Sequence, residues 1–125
     1  MRTLLDTQLY LWFLADSPKL SKKARGFIGE SEAVFVSSAS IWEAAIKIGL
    51  KRLAVSIEDV IQGIEGSGFL ELPITARQSA LVAELPLHHR DPFDRLLIAQ
   101  AMYEPLRLLT GDTALEPYSD LVTLV

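Results

Sequence analysis
The sequence predicts an α/β domain built on a mainly parallel sheet with helices on both faces. Two features of its 125 residues predict this. Short runs of β-forming residues alternate with segments of helical spacing, and that alternation implies parallel strands joined by helical crossovers. Three of the runs also end on, or just before, a polar residue: Asp6, Ser37 and Thr110. Parallel sheets bind ligands beyond the carboxyl ends of their strands, so these endings mark the edge where chemistry is expected.

Each element has a local reason. Thr3-Leu4-Leu5-Asp6 reads as the first strand, and Thr7 to Ala15 as a helix with Leu9, Trp12 and Phe13 at helical spacing. Ser17-Pro18 breaks that helix, and Ser21 to Gly29 reads as a second, amphipathic one. Ala33 to Ser37 is rich in β-formers and makes the second strand. Ser40 to Leu50 is a third helix, with Ile41, Ala44, Ala45 and Ile48 on its apolar stripe. Ser56 to Ile64 is another, opened by Ser56 with Asp59 three residues on, and closed by Gly66-Ser67-Gly68. Phe69 to Leu72 is the third strand, and Thr75 to Leu85 and Asp91 to Tyr103 are helices. Leu106 to Thr110 is the fourth strand and Leu121 to Val125 the last. No repeat or linker interrupts the series, and the length suits one domain over residues 1–125.

Composition narrows the function classes. Half the residues are hydrophobic and 22% are charged, enough apolar material for a packed core. The longest apolar run, Leu9 to Ala15, is far short of the roughly 20 residues of a spanning helix. The opening carries an acid at position 6 and no long apolar segment, so neither membrane insertion nor a signal peptide is expected. A soluble cytoplasmic protein is the expectation. The absence of cysteine excludes disulfides, thiolate zinc sites and a cysteine nucleophile. A net charge of −4 argues against a generic nucleic-acid coat. Yet seven bases (Lys19, Lys22, Lys23, Arg25, Lys47, Lys51, Arg52) face three acids (Glu30, Glu32, Glu43) between residues 19 and 52. Such a flank could hold phosphates, or simply be solvated helix faces.

Four acids stand out. Asp6 and Asp112 follow strands, whereas Glu43 and Asp94 lie at helix starts. Each has a purely structural alternative. Ser40 and Glu43 fit a capping box, and Asp91-Pro92-Phe93-Asp94 has the same form with proline at the first helical position. Asp6 can cap the helix from Thr7, and Asp112 can form an Asx-turn. Convergence on one sheet edge changes the balance. Two carboxylates about 5 Å apart repel by roughly 3 kcal/mol at an effective dielectric of about 20. A divalent cation removes that penalty, and all-oxygen ligands suit Mg²⁺ or Mn²⁺ rather than zinc. Such ions activate water and stabilise the leaving oxygen in phosphodiester cleavage.

At these residues the sequence resembles the PIN-domain ribonucleases, and within them the VapC-like toxins of type II toxin–antitoxin pairs. Four segments carry the resemblance: Leu4-Leu5-Asp6-Thr7, Ser37 to Glu43, His89 to Ala101, and Leu109-Thr110-Gly111-Asp112. They occur in the family's order, the likeness extends over nearly the whole chain, and the third segment is the most specific. The resemblance implies a three-layer α/β/α domain, Mg²⁺-dependent endoribonuclease activity on RNA, and a homodimer inhibited by a cognate antitoxin. By position, Asp6, Glu43 and Asp94 match the family's three acidic ligands and Asp112 its fourth acidic position. Glu43 could bind metal or orient the attacking water. The family varies in where the last carboxylate falls. Many relatives carry histidine after Asp-Thr, where this chain has Gln8.

Other residues are candidates for the substrate or for support of the ligands. Asp91 can face the site or cap its helix. His88, His89 and Arg90 can contact RNA phosphate or be ordinary loop residues, and no His-x-x-x-His spacing supports a histidine metal site. Arg95 can bind phosphate or pair with an acid. Ser38, Ser40 and Thr110 can hydrogen-bond the carboxylates and fix their rotamers. Trp12, Phe13 and Trp42 read as core or dimer contacts. The competing function is a catalytically silent binding or signalling module with a structural cation. A phosphoacceptor receiver would need an acidic pair near the first strand and a lysine after a late one. A haloacid-dehalogenase-like phosphatase would need Asp-x-Asp where the chain reads Asp6-Thr7-Gln8.

Overall fold
The computed structural model describes residues 1–125. Five strands, β1 (Arg2–Leu5), β2 (Ala33–Ser37), β3 (Leu70–Leu72), β4 (Arg107–Thr110) and β5 (Val122–Leu124), form one sheet in the order β3-β2-β1-β4-β5. Every neighbouring pair is parallel. The helices are α1 (Thr7–Leu14), α2 (Lys22–Glu30), α3 (Ser38–Gly49), α4 (Ile57–Gly66), α5 (Ala76–Leu81) and α6 (Pro92–Tyr103), with 3-10 turns at Val82–Glu84 and Thr113–Tyr118. No helix is long and apolar enough to cross a membrane.

Strand alternation sorts the core into two layers, because successive side chains leave a strand on opposite faces. Leu4, Leu108 and Val122 pack with Leu97, Ile98 and Ala101 of α6. Leu5, Val36 and Leu109 pack with Leu9 and Tyr10 of α1, Ala24 of α2 and Val60 of α4. The expected three-layer α/β/α arrangement is therefore the one observed. Gly63 lets α4 press on α1, since a Cβ there would stand 2.6 Å from Leu14 Cδ2. Gly68 takes the left-handed turn (φ +77°) that carries the chain from α4 into β3.

The chain leaves β1 toward β2 on one side, and β4 then adds on the other. The strand order therefore reverses between β1 and β4, and a crevice opens beyond their carboxyl ends. Asp6 and Thr110 stand at those ends, with the Asp6 amide donating to Leu109 O at 3.1 Å.

Several boundaries differ from the expectation, for physical reasons. The third helix starts at Ser38, not Ser40, because Ser37 caps it: Ser37 Oγ accepts from the Ala39 amide at 3.0 Å. Ser40 and Glu43 therefore form no capping box. Ser56 stands at the α4 N-cap but makes no side-chain cap bond. The helix expected from Thr75 to Leu85 breaks into α5 and a 3-10 turn. Its start is as expected, with Thr75 and Gln78 forming a reciprocal capping box. The 3-10 helix Thr113–Tyr118 has no counterpart in the sequence reading; it contains Pro117 and lacks an apolar period.

Candidate metal centre
A cleft of about 370 Å³ opens at the β1/β4 edge, lined among others by Asp6, Glu43, Asp91, Asp94 and Asp112. Different elements deliver the acids. Asp6 follows β1 and caps α1, its Oδ1 accepting from the Leu9 amide at 2.7 Å. Its Oδ2 accepts the Thr110 hydroxyl at 2.6 Å, and Thr110 Oγ1 in turn accepts the Asp112 amide at 3.0 Å. One hydroxyl at the end of β4 thus fixes two acids. Asp112 Oδ1 takes the Ala114 amide at 2.9 Å, the Asx-type role that was its structural alternative, while its side chain is 44% exposed.

Asp91 is the N-cap of α6, accepting the Phe93 and Asp94 amides at 2.9 and 3.2 Å. Capping and lining the cleft coexist. The Leu9, Phe93 and Asp94 amides are consequently engaged by Asp6 and Asp91, so these N–H groups do not face an incoming phosphate. Glu43 lies one turn into α3 with its side chain largely buried. Its Oε2 pairs with Lys47 at 3.0 Å, whereas Oε1 is buried and accepts no hydrogen bond.

The electrostatics reflect burial first and crowding of like charge after it. Burial raises the Asp6 pKa against hydrogen bonds from Thr110 and Leu9 that lower it, and the charges of Glu43 and Asp112 add to the rise. Asp94 is pushed up to about 6, first by burial and then by the Asp91 charge, with the His89 hydrogen bond opposing and Asp6 and Glu43 adding. Oxygen donors converging from several elements suit a hard divalent ion. An orphaned buried oxygen costs on the order of 1–3 kcal/mol, and more when charged. A cation accepted by Glu43 Oε1 would remove that cost, so the residues present fit a metal.

The supporting residues divide. Thr110 bonds a carboxylate, one of the roles open to it from the sequence. Ser40 accepts from Thr7 Oγ1 at 2.8 Å and so ties α3 to α1, without touching an acid. Ser38 accepts the Ile74 amide at 3.2 Å, near the end of β3. Arg90 is exposed and outside the cleft lining. Arg95 turns away from the cleft and pairs with no acid. Its guanidinium donates to Val82 O, Leu85 O, Pro86 O, His89 O and Tyr118 Oη at 3.0–3.4 Å. Of the seven bases in the expected flank, only Lys47 lines the cleft. Gln8 and Trp12 also line it; Phe13 packs on Phe69 at 4.9 Å, and Trp42 is exposed with its edge on Phe93.

Two features escaped the sequence reading. His89 Nε2 lies 2.9 Å from Asp94 Oδ2 and 3.9 Å from Asp112 Oδ2, contacts that no sequence spacing announced. Gln100 is fully buried: its Oε1 accepts the Ser37 hydroxyl at 2.5 Å and its Nε2 donates to Gln78 at 3.0 Å. Gln100 thereby anchors the residue that caps α3, the helix carrying Glu43.

Thr110→Val should uncouple Asp6 from Asp112 while keeping the side chain's shape. Isothermal titration is expected to show divalent-ion affinity falling about 10–100-fold. Unchanged affinity would mean the hydroxyl supports only the turn.

Fold and cleft together define a parallel α/β domain with a carboxylate-rich centre at its switch point. A family profile described as PIN domain matches residues 3–121, so the chain belongs to the PIN-domain family, whose members are generally nucleases. Among solved structures it is similar to VapBC2 from Rickettsia felis bound to a promoter DNA fragment. The TM-score there is 0.70 and the identity 14%, over 100% of this chain and 98% of that one. FitAcB from Neisseria gonorrhoeae gives a TM-score of 0.61 at 19% identity, over 90% of this chain and 89% of that one. FitAB bound to an IR36 DNA fragment gives 0.62 at 19%, over 91% and 90%. At such identities these structures speak for the fold. No curated protein matches by sequence.

Proposed function
We propose that residues 1–125 act as a single nuclease domain, a Mg²⁺-dependent endoribonuclease that serves as the cytoplasmic toxin of a type II toxin–antitoxin pair. The observation that carries the reading is the buried, unbonded Glu43 Oε1 beside two acids held above their ordinary range, in a PIN-family cleft. Asp6, Glu43, Asp94 and Asp112 would hold the ion, with Mn²⁺ an acceptable substitute. The ion supplies an activated water and charge stabilisation for the phosphodiester. The chain's own part is positional. Thr110 orients Asp6 and Asp112, Asp91 fixes the start of the helix that carries Asp94, and Lys47 is the base placed to meet a phosphate.

Partners follow from similar reasoning. The VapBC2 and FitAB structures are toxin–antitoxin complexes, which supports a cognate antitoxin here. Trp42 and Ile46 on α3 and Leu50 at its C-cap are spaced four residues apart and are 58%, 39% and 58% exposed. Such an apolar stripe supports a homodimer.

The test is cleavage of an RNA panel with Mg²⁺, with EDTA, and with Asp6→Asn. Cleavage is expected only from the wild type with Mg²⁺. Equal cleavage in all samples would indicate a contaminant. A wild type that binds the ion but cuts nothing would favour the silent module with a structural cation. The toxin role predicts growth arrest on overexpression, relieved by the product of a small adjacent gene.

A further inference from the structure
His89 is not among the residues that line the cleft, yet its imidazole stands against two of the acids that do, Asp94 and Asp112. We infer that His89 is a further metal ligand which, with Asp94 and Asp112, gives the site proposed for Mg²⁺ added affinity for nitrogen-preferring ions such as Zn²⁺. This rests on the metal-site reading above and adds selectivity to it.

The geometry carries the inference. One donor atom from each of His89, Asp94 and Asp112 lies within 4.8 Å of the other two. Donors roughly 2.0–2.2 Å from a shared ion stand about 3 Å apart when adjacent. The His89–Asp94 edge already has that separation, at 2.9 Å. The His89–Asp112 edge, at 3.9 Å, is longer, and it ends on a half-exposed carboxylate whose Oδ1 alone is held by the backbone.

His89 is also held in place from inside the fold. Its amide donates to Tyr118 Oη at 2.8 Å, and its carbonyl accepts from Tyr118 Oη at 3.2 Å and from Arg95 at 3.4 Å. Tyr118 is buried and receives the His88 amide as well, at 3.0 Å. The imidazole is therefore presented to the acids by an anchored backbone. A neutral imidazole binds through one nitrogen, so coordination by Nε2 replaces its hydrogen bond to Asp94 and leaves the ring proton on Nδ1. Imidazole nitrogen suits zinc, cobalt and nickel, whereas Mg²⁺ prefers oxygen and retains its waters.

The test uses the intact chain and the ions alone. Titration calorimetry on wild type and His89→Gln is expected to show Zn²⁺ affinity falling about 10–100-fold while Mg²⁺ affinity stays within about threefold. The chain has two histidines, so ¹⁵N-histidine labelling resolves both rings. The His89 Nε2 resonance should shift on Zn²⁺ addition, and it is assigned by its loss in the variant. Zn²⁺ binding without that shift, or equal losses for both ions in the variant, would overturn the ligand role and leave the acidic site standing. Ion binding that is absent, or unaffected by Asp6→Asn, would overturn the site and the inference together.

Discussion
Asp94→Asn is expected to give a protein that is more stable in metal-free buffer near pH 8 yet has lost its nuclease activity. The sign follows from the pKa. The folded carboxyl titrates at about 6 against an ordinary 3.8, so between these values the folded chain holds more protons than the unfolded one. Stability therefore falls as pH rises through that window, and the full deficit is present above it. The gap corresponds to about 3 kcal/mol at about 1.4 kcal/mol per unit. With the side chain 23% exposed, solvent screening brings the expected gain from a neutral amide to about 1–3 kcal/mol. Thermal melts in EDTA should show the variant several degrees above wild type at pH 8 and within about a degree near pH 4, where the wild-type carboxyl is already protonated. In the proposed role of Asp94 as a metal ligand, its loss removes several kcal/mol of transition-state stabilisation, so activity should drop by at least about 10²-fold. A variant as active as wild type, or melts that are parallel in pH, would contradict the assignment of Asp94.

Arg95→Ala should be among the most destabilising surface substitutions in the chain. Two nitrogens of this guanidinium serve four carbonyls and the Tyr118 hydroxyl, and its cation lies 6.0 Å from the Tyr118 ring centroid. Hydrogen bonds from a charged donor contribute about 1.5–3 kcal/mol each but are not additive, and water replaces some of them, so a loss of about 2–4 kcal/mol is expected in urea denaturation. Amide exchange should rise mainly in residues 82–90, the segment that the arginine holds. Arg95→Lys should not rescue it, because one ammonium cannot serve groups spread along both edges of a planar fork. Unchanged stability together with weakened RNA binding would restore the phosphate-binding role that the sequence allowed for this residue.

The contrast between Asp94 and Arg95, adjacent in sequence, shows how far local pattern reaches. The caps made by Asp6, Asp91 and Asp112 bond amides two or three residues away. Such bonds depend on short-range geometry, and the residue types at those positions announce them. Period and turn chemistry likewise marked every strand and all six α-helices to within a few residues. They failed where a distant partner set the boundary. Ser37 rather than Ser40 caps α3, and Ser37 is itself anchored by Gln100, 63 positions along the chain.

The sequence by itself determined the alternation of strands and helices, the absence of thiol chemistry, and the placing of acids at strand and helix ends. Tertiary structure decided what those acids meet. Thr110 reaches Asp6 across 104 residues, Arg95 turns to the loop behind it, and His89 comes to rest against Asp94 and Asp112 because Tyr118 and Arg95 hold its backbone. The physical reason is that a cap is satisfied by the next turn of its own chain. A side chain's direction across a cleft is fixed only once distant elements have packed around it.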